Sequence, residues 1–243
     1  MIWVRSILFT IVYYIYSLII FVLMIPTFFM PRKWAMIMPI VWTGGGIYLL
    51  KLICNIRLKI EGLENLPKQK GYIVASKHQS AMETSIFHNL VPDTFYVFKK
   101  ELLWVPFAGL YGLKTGCLPI DRKGGGTALR KMLAGAIKRF QAGQNMVIFP
   151  EGTRTKPGEE TIKPYSPGIA LIYEHCSVPV VPVALNTGYC WPKNSFKRIP
   201  GTVTVRILKP IEPGLPKREF LSLLQQTIET EQKKLPLPYA CKG

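Results

Sequence analysis

His78 and Glu83 are the two side chains of this sequence best suited to moving a proton. His78 directly follows an apolar, strand-like stretch, and Glu83 lies five residues further on, at the start of a predicted helix. Open α/β sheets place their sites where a strand ends and a helix begins. A carboxylate folded back onto an imidazole fixes its tautomer and stabilises the imidazolium, which a histidine general base requires. The spacing alone also fits an unrelated histidine and glutamate at the surface.

The other two histidines, His88 and His175, lie inside predicted helices. We interpret them as packing or surface residues.

A second candidate site lies at residues 149–154, which read Phe-Pro-Glu-Gly-Thr-Arg and follow another apolar stretch. Pro150 and Gly152 favour a sharp turn, and the glycine allows a ligand to approach the backbone closely. Arg154 offers a planar fork of donors that suits a phosphate monoester. Taken alone, the segment is as typical of an ordinary turn at a strand end. Residues 124–126, three glycines, lack the spacing of a nucleotide-binding loop, and we predict a mobile loop there.

Short apolar stretches alternate with helical ones from about residue 57 onward. This alternation predicts an α/β fold, with helices flanking a mixed, largely parallel sheet. The strand-like stretches are residues 72–75, 95–98, 146–149, 180–185 and 202–208. The helix candidates are residues 82–90, 101–111, 127–141, 167–175 and 217–233. Ser166 followed by Pro167 is a helix start signal. We find no internal repeat or low-complexity linker, so residues 57–243 are predicted to form one domain.

The first 56 residues differ in composition, because no Asp or Glu precedes Glu61. Residues 6–30 carry no charge and would form a helix about 37 Å long, enough to cross a hydrocarbon core of about 30 Å. This run ends in bulky residues rather than in the small residues of a signal-peptide cleavage site, so it predicts a retained anchor.

A second uncharged run, residues 34–50, is interrupted by the glycines at 44–46. We therefore predict a membrane-anchoring helix pair over residues 1–56, either as a spanning hairpin or as two helices in one leaflet. The basic residues that follow place the main domain on the cytoplasmic side under both readings.

The whole chain is strongly basic, since 31 Lys and Arg against 14 Asp and Glu give a formal net charge of +17. This excess favours an acidic partner such as nucleic acid, an anionic membrane surface or a phosphorylated substrate. The basic residues are spread along the sequence and form no nucleic-acid-binding module, so we expect no nucleic acid as partner. The five cysteines form no Cys-x-x-Cys pair, which argues against a disulfide framework and a zinc ribbon.

Four blocks in order resemble the 1-acyl-sn-glycerol-3-phosphate (lysophosphatidate) acyltransferases of the glycerolipid acyltransferase superfamily. The first motif of that family, His-x4-Asp, corresponds to His78 and Glu83, so the carboxylate is kept with one more methylene. The second block resembles residues 99–122, and the fourth resembles residues 178–184. The third, Phe-Pro-Glu-Gly-Thr-Arg, is present letter for letter at residues 149–154. The resemblance covers about residues 72–186 and extends to the apolar N-terminal pair.

The resemblance implies transfer of an acyl chain from a thioester to the 2-hydroxyl of lysophosphatidate, which gives phosphatidate. His78 would be the general base, and Glu83 would orient it and support its charged form. The residues implied to bind the acceptor or to shape its pocket are Lys99, Arg122, Glu151, Gly152, Thr153 and Arg154. The resemblance implies no metal and no cofactor.

The implied partners are lysophosphatidate, membrane lipids, and acyl-CoA or acyl carrier protein as the acyl donor. The implied location is a bacterial inner membrane, with the catalytic domain facing the cytoplasm. Two other functions stay open. One is acyl transfer to another acceptor, namely glycerol 3-phosphate, another lysophospholipid or a lyso-aminolipid. The other is binding of anionic ligands by a membrane-tethered protein without catalysis.

Overall fold

The computed structural model describes residues 1–105, 107–121 and 124–238 of the chain. The helices of this part are α1 (Ile2–Phe29), α2 (Arg32–Ala35), α3 (Ile37–Cys54), α4 (Met82–Leu90), α5 (Ala108–Thr115), α6 (Gly125–Gln141), α7 (Pro167–Cys176), α8 (Thr187–Cys190) and α9 (Lys217–Lys233). The strands are β1 (Ile56–Glu61), β2 (Ile73–Ser76), β3 (Thr94–Lys99), β4 (Leu118–Ile120), β5 (Asn145–Ile148), β6 (Val180–Leu185) and β7 (Gly201–Ile207).

A seven-stranded sheet in the order β1-β7-β6-β2-β5-β3-β4 forms the centre of the α/β domain. Only β6 and β7 pair in antiparallel direction among these strands, and all other neighbours are parallel. The predicted mixed, largely parallel sheet is therefore confirmed. β2 lies between β6 and β5, so the segments that follow these three strands meet at one edge of the sheet.

Helices cover both faces of the sheet. Successive side chains of each strand point to opposite faces, so neighbouring residues of one strand pack against different helices. Val74 packs on one face with residues of α1, α3 and α4. Ile73 and Ala75 pack on the other face with residues of α6, α7 and α9. All four residues of β2 are buried, which fits its continuous apolar sequence.

Two local predictions are wrong. The predicted helix over residues 101–111 is divided into a 3₁₀ helix, Lys100–Trp104, and the shorter helix α5. Phe107, at φ 61°, has a left-handed backbone that does not continue a right-handed helix. The mobile loop expected at residues 124–126 is also wrong for its last two glycines, because α6 begins at Gly125.

The apolar N-terminal helix pair is present, and α1 and α3 are its two long helices. By length and composition, α1 and the segment Arg32–Cys54 could each cross a membrane, and only 11% of the most apolar window of α1 is buried. The start of α1 contacts the α/β domain, because the main-chain N–H of Arg198 donates to Ser6 Oγ at 2.9 Å. β1 begins at Ile56, and the domain boundary at 56/57 stays a prediction.

The other end of α1 also contacts the α/β domain. Thr27 Oγ1 lies 3.0 Å from the Tyr111 hydroxyl, and Arg32 forms an ion pair with Asp93 at 2.5 Å. Arg32 also donates to the carbonyl of Thr115 at 2.9 Å. α1 is therefore attached to the domain at both of its ends.

Candidate active site

His78 and Glu83 are brought together by the turn between β2 and α4. β2 ends at Ser76 and α4 begins at Met82, so Glu83 lies in the first helical turn and its carboxylate returns toward the strand end. Its Oε2 lies 2.5 Å from His78 Nδ1. The Glu83 side chain is fully buried, whereas 19% of the His78 side chain is exposed. Since Nδ1 is held by the carboxylate, Nε2 is the ring nitrogen left to take a proton; no described residue bonds to it.

The second carboxylate oxygen of Glu83 is also fixed. The main-chain N–H groups of Gln79 and Ser80 donate to Oε1 at 3.0 and 2.6 Å. The hydroxyl of Thr187, the first residue of α8, donates to the same oxygen. All these partners are donors, so the geometry suits an ionised carboxylate. Sequence reasoning missed Thr187, although its place just after β6 puts it at the same sheet edge as His78.

The segment at residues 149–154 meets His78 directly. The imidazole stacks on the ring of Phe149 with the centroids 4.0 Å apart and the planes inclined by 16°. The main-chain N–H of His78 donates to Glu151 Oε2 at 2.7 Å, and its carbonyl accepts from the N–H of Thr155 at 2.8 Å. The ring and the backbone of His78 are thus both held by the strand-end segment that follows β5.

Glu151 and Gly152 lie at the base of this segment. The Glu151 side chain is only 1% exposed, and its Oε1 lies 3.0 Å from the Lys77 ammonium. The hydroxyl of Thr161 donates to the same oxygen at 2.6 Å. Glu151 therefore holds the backbone of His78, and protein donors occupy both of its oxygens. Gly152 has φ 68°, a conformation that glycine adopts without strain.

The predicted phosphate-binding residues lie along the same edge. The guanidinium of half-buried Arg154 forms no ion pair with another described residue, while its carbonyl accepts from Lys193 Nζ at 2.9 Å. Thr153 is exposed, and its hydroxyl lies 3.5 Å from the same ammonium. Lys193 was missed by sequence reasoning, since it belongs to no motif.

Lys99 and Arg122 are the remaining predicted ligands. Lys99 is the last residue of β3, two strands from β2 in the sheet, or about 10 Å at the usual strand spacing. It is exposed and has no ion-pair partner in the described part of the chain, whereas its neighbour Lys100 pairs with Asp121. Arg122 lies outside the described residues.

His88 and His175 are placed away from this pair. His88 stacks on Tyr96 at 4.6 Å, and its Nδ1 donates to the Thr84 carbonyl at 2.9 Å. Burial lowers the pKa of His88 from 6.5 to about 4. His175 is exposed on α7, so both positions agree with the interpretation as packing and surface residues.

The fold and the site define a class: an α/β protein with a solvent-accessible histidine held by a buried carboxylate, next to a strand-end segment that carries Arg154. The family model described as "Acyltransferase" matches residues 57–186, which is more than half of the chain. The chain belongs to this acyltransferase family.

Curated relatives carry more specific names. A protein of Pseudomonas aeruginosa named 1-acyl-sn-glycerol-3-phosphate acyltransferase is 34% identical over 166 residues, 68% of this chain and 63% of that protein. A protein of Saccharomyces cerevisiae with the same name is 33% identical over 168 residues, 68% of this chain and 54% of that protein. The chain thus spans less than two thirds of the length of these relatives.

A crystal structure of a 1-acyl-sn-glycerophosphate (LPA) acyltransferase from Thermotoga maritima has the same fold. The TM-score is 0.78, and the match covers 97% of this chain and 99% of the other at 22% sequence identity. This likeness extends over the N-terminal helices as well as the sheet.

Proposed function

We propose that this protein transfers an acyl chain from an acyl thioester to the 2-hydroxyl of lysophosphatidate, giving phosphatidate and a free thiol. The observation that carries the proposal is the pair of His78 Nδ1 and buried Glu83 at 2.5 Å, with Nε2 left unoccupied by described residues. The names of the relatives support the acceptor, because both are called 1-acyl-sn-glycerol-3-phosphate acyltransferases.

The geometry supports a direct transfer. His78 Nε2 removes the proton of the acceptor hydroxyl while its oxygen attacks the thioester carbonyl. The tetrahedral intermediate then expels the thiolate, which takes the proton from the imidazolium and leaves as the thiol. One C–O bond forms and one C–S bond breaks. Glu83 stays ionised throughout and stabilises the imidazolium formed between these two proton transfers.

The acceptor phosphate is bound by the basic residues at the sheet edge. Arg154 supplies a bidentate contact, Lys99 a point charge, and Thr153 a hydroxyl; Arg122 adds a further cation. Glu151 and Gly152 shape the floor of this pocket. Both acyl-CoA and acyl carrier protein present the thioester that this mechanism needs.

The protein acts at a membrane, which also holds its lipid acceptor. The exposed apolar surface of α1 and the net charge of +17 both favour an anionic bilayer. The proposed place is the cytoplasmic face of a bacterial inner membrane. The contacts at both ends of α1 support insertion into one leaflet over a spanning hairpin.

A thioester-release assay on the purified protein tests the proposal. The acceptors are lysophosphatidate, glycerol 3-phosphate, a lysophospholipid with a larger headgroup and a lyso-aminolipid, each offered with acyl-CoA and with acyl carrier protein as donors. We expect lysophosphatidate to be preferred, and His78→Ala to lower turnover by about two to four orders of magnitude. His175→Ala is the matched control and should act like the wild type. Preference for another acceptor would contradict the headgroup assignment, and full activity of folded His78→Ala would contradict the mechanism.

A further inference from the structure

A buried group of charged side chains lies beneath the site. It consists of Lys77, Glu151 and Glu229, and we call it the buried charge cluster. The Lys77 side chain is fully buried, and its ammonium lies 2.6 Å from Glu229 Oε1 and 3.0 Å from Glu151 Oε1. Glu229 belongs to α9, which lies outside the residues 57–186 that the family model matches.

Both carboxylates of the buried charge cluster have only hydrogen-bond donors as partners. Glu229 accepts from Lys77, from the Tyr165 hydroxyl at 2.9 Å and from the main-chain N–H of Thr161 at 3.3 Å. Glu151 accepts from Lys77, from the Thr161 hydroxyl and from the N–H of His78. Since every contact comes from a donor, the geometry suits two ionised carboxylates, and one ammonium with two carboxylates has a formal net charge of −1.

The two carboxylates bind the Lys77 ammonium in different ways. Glu229 binds the ammonium through both oxygens, at 2.6 and 2.8 Å, whereas Glu151 touches it with Oε1 only. Glu151 Oε2 is therefore free to hold the N–H of His78 at 2.7 Å. Without the charge of Glu229, the ammonium would have one carboxylate left, and Glu151 would be drawn toward it and away from His78.

We propose that Glu229 is a positioning residue for the acyl transfer proposed above, acting on His78 through Lys77 and Glu151. The inference rests on that function for its role in turnover. In this arrangement α9 completes the site, because Glu229 holds the Lys77 ammonium and leaves Glu151 Oε2 bonded to the main-chain N–H of His78. A buried ion pair is in itself weak evidence of stabilisation, because the desolvation cost offsets much of the attraction.

Two charged side chains contact His78, and two more are linked to it through Glu151. Glu83 of α4 contacts the ring, and Glu151, after β5, contacts the main chain. Lys77 precedes His78 in the chain, and Glu229 of α9 stands behind Lys77. A change in the charge of the cluster must therefore change the proton affinity of the imidazole, in a direction set by the sign of the change.

The test is an NMR titration of the histidine ring protons of the full-length protein, combined with kcat and KM. The chain has only three histidines, so His88→Gln and His175→Gln assign the His78 signal. Glu229→Gln reduces the net charge of the cluster to zero. It should lower the midpoint of the His78 titration by about half a pH unit to one pH unit, because the imidazolium loses a nearby negative charge. It should also lower kcat by about 10- to 100-fold with little change in KM, because the base is misplaced.

Two further variants keep the test decisive if Glu229→Gln does not fold. Lys77→Met leaves the cluster with a net charge of −2. It should raise the midpoint of the His78 titration, because the added negative charge favours the imidazolium. The double variant Lys77→Met/Glu229→Leu leaves Glu151 as the one charged residue of the cluster, with a charge of −1. It also removes the ammonium that competes with the His78 N–H for Glu151. It should therefore restore both the wild-type midpoint of the His78 titration and most of kcat. A structural role alone would not produce this order of midpoints.

Glu231→Gln is the matched control, because Glu231 lies two residues away on α9 and pairs with Arg206 and Lys234 at the surface. It should leave the midpoint and kcat as in the wild type. The proposal is overturned if the folded cluster variants share the wild-type midpoint, or if Glu229→Gln keeps the wild-type kcat. The titration does not depend on turnover. If the protein were inactive on every acceptor, the proposed function would be contradicted, and the midpoints would still decide whether the cluster acts on His78.

Discussion

The carboxylate of Glu83 has a fixed partner for each of its oxygens. Oε2 holds the imidazole, while Oε1 receives two main-chain N–H groups and the hydroxyl of Thr187. The longer side chain of Glu, compared with the Asp common in the resembled family, thus reaches the ring without losing contact with the turn. We therefore expect the orientation of His78 to depend on this complete set of donors.

Thr187→Val tests the last of these donors. It removes a hydrogen bond to a charged group, which is worth about 1.5–3 kcal/mol, so we expect kcat to fall by about 10- to 150-fold. Thr94→Val is the matched control, because Thr94 is equally buried and its hydroxyl has no hydrogen-bond partner among the described residues. Kinetics of both variants, with thermal melting as a check on folding, make the comparison. Equal kcat for the two variants would show that the Thr187 hydroxyl does not matter.

Arg154→Ala tests the phosphate contact that we propose for this side chain. Loss of a charge-assisted bond of about 1.5–3 kcal/mol should weaken use of lysophosphatidate by about 10- to 150-fold in kcat/KM. Arg154→Lys should recover only part of this, since an ammonium lacks the planar fork. Arg130→Ala, an exposed arginine on α6, is the control. A phosphate-free acceptor that the wild type also uses should be indifferent to all three changes, and an equal loss on it would contradict the assignment.

The glycines of α3 lower the helix propensity of their own segment but allow α1 to pack closely against it. Gly44, Gly45 and Gly46 reduce helix propensity, yet α3 is continuous across them. Tyr16 of α1 occupies the space above Gly45, where an added Cβ would lie 2.0 Å from the tyrosine oxygen. The same hydroxyl donates to the Val41 carbonyl at 2.6 Å. The missing side chains let α1 and α3 approach closely.

Gly45→Ala should therefore destabilise the helix pair. The new methyl group must displace Tyr16, and such overpacking costs about 1–3 kcal/mol. Gly126→Ala in α6 is the control, because nothing lies within 4 Å of an added Cβ there and alanine favours a helix. Thermal unfolding in detergent should show a lower midpoint for Gly45→Ala only. A Gly45→Ala protein as stable as the control would contradict the close packing.

Buried strands could be predicted from sequence, but edge strands and long-range partners could not. β2, β5 and β6 are continuous apolar runs because both of their faces are covered. β1 was missed, since it lies at the edge of the sheet and alternates apolar residues with Arg57 and Lys59. Phe107 gives no local signal of its left-handed backbone.

The candidate site shows the same division. His78 and Glu83 could be paired from sequence because one turn separates them, and the segment at 149–154 because it follows a neighbouring strand. Thr187, Lys193 and Glu229 contact the site from later elements, and only the folded chain shows where their side chains reach.

At the scale of the whole molecule, the apolar surface continues from the N-terminal helices onto the α/β domain. Phe107 stacks on Phe21 of α1 with the ring centroids 5.2 Å apart. Exposed apolar side chains lie before and after Phe107 in the chain, on the 3₁₀ helix, at the residue that follows it and on α5: Leu102, Trp104, Val105, Leu110 and Leu113. A bilayer that covers α1 would also meet this part of the domain, next to Lys99 at the end of β3.

The attachment of both ends of α1 to the domain predicts that the linker and the domain lie on the same side of a membrane. If α1 spanned the bilayer, Arg32 would leave Asp93 and the linker would lie about 30 Å away, on the other face. Cysteines at Lys33 and at Lys209, both exposed, report on the linker and on the domain. They are introduced separately into a Cys176→Ser/Cys241→Ser background, since Cys54, Cys117 and Cys190 are buried. After reconstitution into sealed vesicles, an impermeant maleimide should label both positions to the same fraction of the amount reached in detergent. Complementary fractions, with one position labelled where the other is protected, would instead establish a spanning α1.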